Sequence, residues 1–418
     1  MRLFFCSFES IFDHIFESQI LLFITEINKK LIYEKKEIFL VNFGSITDIF
    51  KKDYWKKRKL ISGSLKNKVF FAFKFPYMYR FPSLLRLATL INSLNCLFIF
   101  LFFLRLKKSQ TSVFHCRTEM GSNIILRMRS VFFKNIKIIC DCRGLGSKEI
   151  LYKIDSAKNK ILSEKIGNIE KFVHSNADYL FCVSKAFKMY IQGSINSSTE
   201  NIEVIPCCVD TNKFNYDPKA RIEIRRELGV SDNFVFLYSG SFNKWQLIPQ
   251  MIRLFKILKQ FMVNSFFVVY TMDLQYAKMI FSVENIDKNN VILKSIPPSL
   301  INKYLLAGDI GFLIREDNLV NNIAFPVKFA EYVSCGVPVL SSIKSDVIDL
   351  IEKYDLGFKL KNYDDESEIR SIAERIKCNQ LQLQSEEYKS RISRTIREKL
   401  SWDNYTDKII SIYKNLHP

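Results

Sequence analysis

The chain has 418 residues, 48% of them hydrophobic, and a formal net charge of +19. That length and apolar content allow two buried cores, so two domains are expected. The ten cysteines lack C-x-x-C spacing and no signal peptide is visible, so they read as reduced thiols of a cytosolic protein; four histidines, none at metal spacing from another, argue against a protein metal site.

The excess charge is local. Residues 51–140 hold 19 Lys and Arg against two acidic residues, Asp53 and Glu119. A solvated solubility face would not concentrate charge beside so many aromatics, which leaves nucleic acid or an anionic membrane surface as the partner.

Residues 1–8 read as a first strand, and Asp13 to Lys30 as an amphipathic helix with Ile15, Gln19, Leu22 and Ile27 roughly in register. The turn between them carries Phe8, Glu9 and Ser10 where a nucleotide-binding first domain would have glycines. Glu37–Phe43 reads as the second strand. Residues 51–80 alternate Lys and Arg with Tyr, Trp and Phe, a composition suited to aromatics at headgroup depth and cations reaching anionic lipid. Leu84–Leu106 approaches the length of a membrane span, but Arg86, Asn92, Ser93 and Asn95 interrupt its first half. It predicts a helix that packs on the sheet edge and dips into one leaflet.

Thr111–Cys116 and Lys137–Cys142 read as strands around a helix over Asn123–Phe133. The second strand runs into D-C-R-G-L-G-S-K-E, which puts Asp141, Arg143 and two glycines at the crevice of an open α/β sheet. A helix and a strand, Tyr179–Val183, follow, with Ser184 as the cap of the next helix. Phe234–Gly240 is a buried strand of the parallel-sheet kind. Its turn, Gly240, Ser241, Asn243 and Lys244, is a reasonable phosphate cradle because glycine permits a tight turn beside a basic residue. A helix from Trp245 to Lys259, strands Ser265–Tyr270 and Val291–Leu293, and a short helix ending near Leu306 continue the alternation. Trp402–Leu416 is amphipathic, with Ile409, Ile410 and Tyr413 on one side.

The segment Asp309–Ser342 organises the second half. Ile310–Ile314 is a short buried strand and Arg315–Asn322 a polar turn. Pro326 falls in the first turn of a helix, where its missing N–H costs nothing. The helix runs from Val327 to Ser334, Gly336 caps it, Pro338 prevents continuation and Val337–Leu340 starts the next strand. Its N-terminus is a ready anion site. Lys328 in the first turn opposes the helix dipole, so its presence needs another reason, such as a bound phosphate. Glu331 is the only carboxylate in the helix.

The pattern P-x-K-x-x-E-Y-x-x-x-G-x-P-V over residues 326–339 resembles the donor-site segment of family-4 glycosyltransferases. A-D-x-x-x-x-V-S at 177–184 and I-P-x-x-V-D-x-x-x-F at 205–214 match the same family in order. The resemblance implies an α/β fold of two Rossmann-like domains facing across a cleft, the GT-B architecture. Its domains would be an acceptor-binding domain over 1–212 with a basic, membrane-facing region at 51–108, a nucleotide-sugar domain over 213–400, and a last helix at 401–418 crossing back to the first domain. It implies that Glu331 holds ribose hydroxyls, that Val327 and Lys328 receive the diphosphate, and that Gly240, Ser241 and Lys244 line the donor, with Arg315 offsetting the cation missing at Ser241. Arg143 stands where most members carry a histidine contacting the donor sugar, with Asp141 and Glu149 as acceptor-side candidates. The family's second Glu, eight positions before the first, is Ile323 here.

The expected activity is that of a retaining hexosyltransferase of cell-surface glycan synthesis, of the kind that builds lipopolysaccharide, capsule or other polysaccharide. It would take a UDP- or GDP-sugar to a lipid-linked or oligosaccharide acceptor, with no permanently bound cofactor and no metal. Catalysis would fall to Arg143, Lys244 and Glu331, at the inner face of the plasma membrane. Nucleic acid is not expected, because the charge accompanies an apolar helix and no nucleic-acid motif is present. The alternatives are a catalytically inactive membrane-attached partner protein and a GT-B sugar-nucleotide epimerase.

Overall fold

The apolar runs of the sequence become parallel strands. A computed structural model describes residues 2–13, 15–34, 36–75, 84–103, 111–131, 135–153, 157–195 and 200–416. The chain divides into two α/β units, Met1–Pro206 with Trp402–Pro418, and Cys207–Ser401, so the first passage falls six residues before the expected boundary at 212.

In the first unit, β1 (Arg2–Ser7), β2 (Ile38–Ser45), β3 (Val69–Lys74), β4 (Ser112–Arg117), β5 (Ile136–Cys142), β6 (Tyr179–Cys182) and β7 (Ile202–Val204) form one parallel sheet in the order 3-2-1-4-5-6-7. The order reverses between β1 and β4, which opens a crevice at their carboxyl ends. In the second unit, β8 (Phe234–Ser239), β9 (Ser265–Tyr270), β10 (Val291–Lys294), β11 (Ile310–Leu313), β12 (Val339–Ser341) and β13 (Gly357–Lys359) run in the order 10-9-8-11-12-13 and reverse between β8 and β11. Both units are Rossmann-like.

The motif residues have local work. Asp178 takes Arg129, Lys137 and the Ile138 backbone N–H, which fixes the approach to β6. Ser184 accepts from the Phe187 N–H at 3.0 Å and caps its helix. Glu170 accepts from the backbone N–H and hydroxyl of Ser147 and so anchors the loop that carries Arg143.

The 51–80 stretch holds a helix, Tyr54–Ser64, and the edge strand β3; residues 76–80 lie outside the described residues. The 84–106 segment forms a helix over Leu85–Phe98 with a continuation at Ile99–Phe103, and 104–106 lie outside the described residues. Asn92 and Asn95, read from the sequence as interruptions, face the protein: Asn92 holds both the N–H and the carbonyl of Phe75, and Asn95 donates to Phe73. Among the described residues no helix is long and apolar enough to cross a membrane.

The second unit is tied together by one carboxylate. Asp309, fully buried at the start of β11, faces Arg221 at 2.5 Å, Arg225 at 3.1 Å and Lys389 at 3.5 Å, and accepts from the Val235 N–H. These cations also donate to the carbonyls of Leu306, Ala307, Gly308 and Gly336, so they are hydrogen-bonded as well as paired. Burial alone would raise the Asp309 carboxyl, but Arg221, Lys389 and Arg225 outweigh it and hold it at about 2. Its folded value lies below the unfolded value of about 3.9, so its contribution is present above the unfolded value and is lost as pH falls toward 2. Asp309→Asn would leave three buried cations uncompensated, and denaturant unfolding is expected to show a loss of about 3–5 kcal/mol at pH 7 that shrinks as pH falls below 4.

Candidate active site

The second unit's site is built at the carboxyl ends of β8 and β11, where the strand order reverses. From β8, Tyr238 points its hydroxyl to the Ser241 carbonyl, donating at 2.6 Å. From the helix Val327–Ser334, the Lys328 ammonium reaches back to the Tyr238 hydroxyl at 3.2 Å and to Gln246 Oε1 at 3.3 Å, and lies 4.6 Å over the Tyr238 ring. Gly240 makes room for this reach, because a Cβ there would fall on the Lys328 ammonium. Arg315 follows β11. Its backbone N–H donates to Ser342 Oγ at 2.9 Å and its carbonyl accepts from the same hydroxyl, which ties it to the end of β12.

The two cations lack a counter-charge of ordinary kind. Arg315 Nε is buried without a hydrogen-bond partner, and among the described residues no carboxylate pairs with Arg315 or Lys328. Burial and the neighbouring Arg315 lower Lys328 to about 7, with Glu331 opposing the shift. Burial also lowers Arg315 from its ordinary value. Glu331 sits one helical turn after Lys328. Burial raises it to about 7 against the pull of Lys328 and Lys213, and its carboxylate accepts no hydrogen bond among the described residues. No side chain caps the N-terminus of this helix at Val327. Such a group of desolvated cations beside an uncapped helix end is what an anion would complete.

The other anticipated residues are placed as follows. Lys244 is exposed in a short 3₁₀ turn, Lys244–Gln246, and it is Gln246 from that turn that reaches Lys328. Ser241 is exposed and contributes its carbonyl to Tyr238. Ile323 is buried at the end of the helix Leu319–Ile323, as an aliphatic side chain among packed neighbours. Tyr238, Gln246 and Tyr332 were not anticipated. Tyr332 exchanges hydrogen bonds with the Ser239 backbone, its ring lying where a Cβ on Gly311 would be. The signal that could have found Tyr238 is a lone hydroxyl in an apolar strand, next to the glycine turn.

The first unit gathers a second polar group at the carboxyl ends of β1, β4 and β5. Asp141 Oδ2 receives Arg143 at 2.8 Å and has Arg117 at 3.6 Å and His115 at 3.9 Å. Glu9 takes Arg117 Nε at 2.9 Å together with the Ser7 hydroxyl and the Phe8 N–H, so the Phe8–Ser10 turn presents a carboxylate already in use. Burial would raise Asp141, but Arg143, His115 and Arg117 hold it below its ordinary value. Burial lowers His115 to about 4, with Asp141 opposing and the two arginines adding, so the ring is neutral and shares a 2.6 Å hydrogen bond with Tyr413. Glu149 lies against Gly144, where only a hydrogen leaves it space. Guanidiniums and carboxylates balance here, unlike in the second unit. Among the described residues one trio could in principle hold a metal ion, Glu119, Cys142 and His174, and the sequence offered no sign of it because the three come from different elements. The 3.2 Å hydrogen bond between His174 and Glu119 gives those two groups partners without an ion.

Comparison with known proteins identifies the class. Residues 62–213 match the family model for Glycosyltransferase Family 4, and residues 220–393 match that for glycosyl transferases group 1. Together the matches take in well over half of the chain, which belongs to the family-4 glycosyltransferases and is a glycosyltransferase enzyme of GT-B type. Its fold is similar to that of HepE from Anabaena, solved in complex with UDP, at a TM-score of 0.68 and 14% identity over 99% of this chain and 100% of that one. It is likewise similar to a sucrose-phosphate synthase from Thermosynechococcus elongatus, at 0.70 and 14% over 99% of each chain. A structure described as a UDP-N-acetylglucosamine 2-epimerase from Listeria monocytogenes shares the fold at 0.52 and 12%, over 94% and 91%. The fold alone therefore does not select transfer over epimerisation; the two family models do. No curated protein matches the chain by sequence.

The charge state of Glu331 has a stability consequence. Its folded value of about 7 lies above the unfolded value of about 4.3, so the folded form holds the proton more tightly and stability falls as pH rises from 4 through 7. Glu331→Gln is expected to stabilise the unliganded protein by ~1 kcal/mol at pH 8 and by less at pH 5, measured by urea unfolding at both.

Proposed function

We propose that the enzyme transfers a sugar from a nucleoside-diphosphate sugar to a lipid-linked or oligosaccharide acceptor of cell-surface glycan synthesis. The observation that carries this reading is the pair of desolvated cations, Arg315 and Lys328, with no ion-paired carboxylate among the described residues, and Glu331 one turn along the same helix with no hydrogen bond among them. A diphosphate supplies the missing negative charge, and ribose hydroxyls supply the missing donors to Glu331. HepE was also solved with UDP-glucose, which supports a uridine donor as the first to test.

In the proposed reaction the bond between the anomeric carbon and the diphosphate oxygen breaks. The acceptor hydroxyl oxygen bonds to that carbon on the same face, and its proton leaves with the diphosphate. Lys328, Arg315 and the helix N-terminus at Val327 stabilise the charge that develops on the leaving group, with Lys244 at the mouth of the turn. Gly240 and Ser241 shape that turn. Arg143, held by Asp141, is the first unit's candidate for holding the acceptor. The family resemblance supports retention of configuration without a protein-bound metal. The basic excess of residues 51–140 supports attachment to an anionic inner leaflet, as a peripheral protein on the cytoplasmic side.

Calorimetric titration with a panel of UDP- and GDP-sugars tests the reading. One donor is expected to bind in the micromolar range, and Glu331→Ala to weaken it roughly 10- to 100-fold, the worth of hydrogen bonds to a charged group. Arg143→Ala is expected to bind that donor normally while losing transfer to acceptor. If no donor binds while the protein still sediments with anionic vesicles, the reading gives way to that of an inactive, membrane-attached partner.

A further inference from the structure

The helix Leu85–Phe98 buries Leu85, Ala88, Cys96 and Leu97 together with Thr89, Asn92 and Ser93, yet leaves Leu87, Leu90, Leu94 and Phe98, spaced along a second face, each about half exposed. Beside it lies a cavity of about 560 Å³, formed with the helices Glu119–Val131 and Ala157–Asn176. Leu85, Leu90 and Phe172 give it an apolar wall, and Arg86, Arg127 and Lys165 give it three cations; no carboxylate lines it. Neither Arg86 nor Arg127 has an ion-pair partner among the described residues, and Arg127 lies 6.0 Å over the Phe172 ring. Asn123 also lines the cavity. It is fully buried, and neither its carboxamide nitrogen nor its oxygen has a hydrogen-bond partner. A buried amide of this kind is unfavourable unless something completes it.

We propose that this cavity binds the phosphate headgroup of an anionic phospholipid, with the acyl chains continuing along Leu87, Leu90, Leu94 and Phe98. The inference rests on the membrane-facing reading of the first unit and adds to it a stoichiometric lipid site. Both halves of the ligand are read from the walls. The cations and the unpartnered amide call for an anion rich in acceptors, and the exposed leucines, reached through Leu90 in the cavity wall, call for hydrocarbon. An anion without a tail would leave the leucine face in water.

The full chain is titrated with short-chain phosphatidylglycerol below its micellar concentration, with short-chain phosphatidylcholine and with inorganic phosphate. In parallel it is sedimented with phosphatidylcholine vesicles that contain or lack phosphatidylglycerol. The site predicts saturable binding of one phosphatidylglycerol per chain, with no comparable binding of phosphatidylcholine or phosphate. The double charge reversal Arg86→Glu with Arg127→Glu, both at exposed positions, and separately Asn123→Leu, are expected to weaken it ~10-fold or more. Circular dichroism and denaturant unfolding like those of the wild type show that these variants are folded. If the wild type sediments with anionic vesicles but the short lipid fails to saturate, or the variants bind it as the wild type does, the lipid site is overturned and the membrane reading survives. If the wild type ignores anionic vesicles, both fall. Equal binding of inorganic phosphate overturns the lipid assignment.

Discussion

Holding two cations in one desolvated place without a counter-ion is the constraint on which the second unit's site depends. Burial lowers both and Arg315 lowers Lys328, while Glu331, the face of Tyr238 and hydrogen bonds to Tyr238 and Gln246 offset the cost for Lys328. The scaffold tolerates the arrangement because its geometry is imposed from elsewhere. Ser342 locks the Arg315 backbone, Tyr332 is bonded to the end of β8 across Gly311, and the Asp309 network fixes the root of β11. An unfavourable electrostatic arrangement on a rigid frame is the usual mark of a site awaiting a ligand.

The contrast with the first unit sharpens this reading. There the guanidiniums of Arg117 and Arg143 are matched by the carboxylates of Glu9 and Asp141, and the neutral His115 is held by Tyr413 from the C-terminal helix. A balanced polar cluster suits orienting neutral hydroxyls, whereas an unbalanced one suits binding an anion. Arg86 and Arg127, two further cations of the first unit, line a different cavity, beside a helix that exposes Leu87, Leu90 and Leu94.

Much of this was legible in the chain. The helix Val327–Ser334 has the bounds its sequence predicts, because Pro326 and Gly336 are strong local signals at its two ends. Lys328 betrayed itself by sitting at the wrong end of a helix dipole. What was not legible depends on contacts distant in sequence. That Lys328 would turn back to Tyr238, and that Lys244 would stay exposed while Gln246 made the contact, follow from how β8 and β11 are juxtaposed. The His115–Tyr413 bond joins residues almost 300 positions apart. What the polar residues of the helix Leu85–Phe98 bond to was hidden for a related reason. Apolar residues ordinarily face inward, and here Asn92 and Asn95 serve the open backbone at the end of β3.

The most direct test of the central claim is the number of protons taken up when a nucleoside diphosphate binds near pH 7.5, measured by calorimetry in two buffers of different ionisation heat. Lys328, held at about 7, is only partly protonated at that pH in the unliganded protein, and a phosphate beside it raises its proton affinity. The account predicts a net uptake of part of a proton per diphosphate, absent in Lys328→Met and much reduced for the uncharged nucleoside. Binding without proton uptake, with equal affinity for diphosphate and nucleoside, would contradict it.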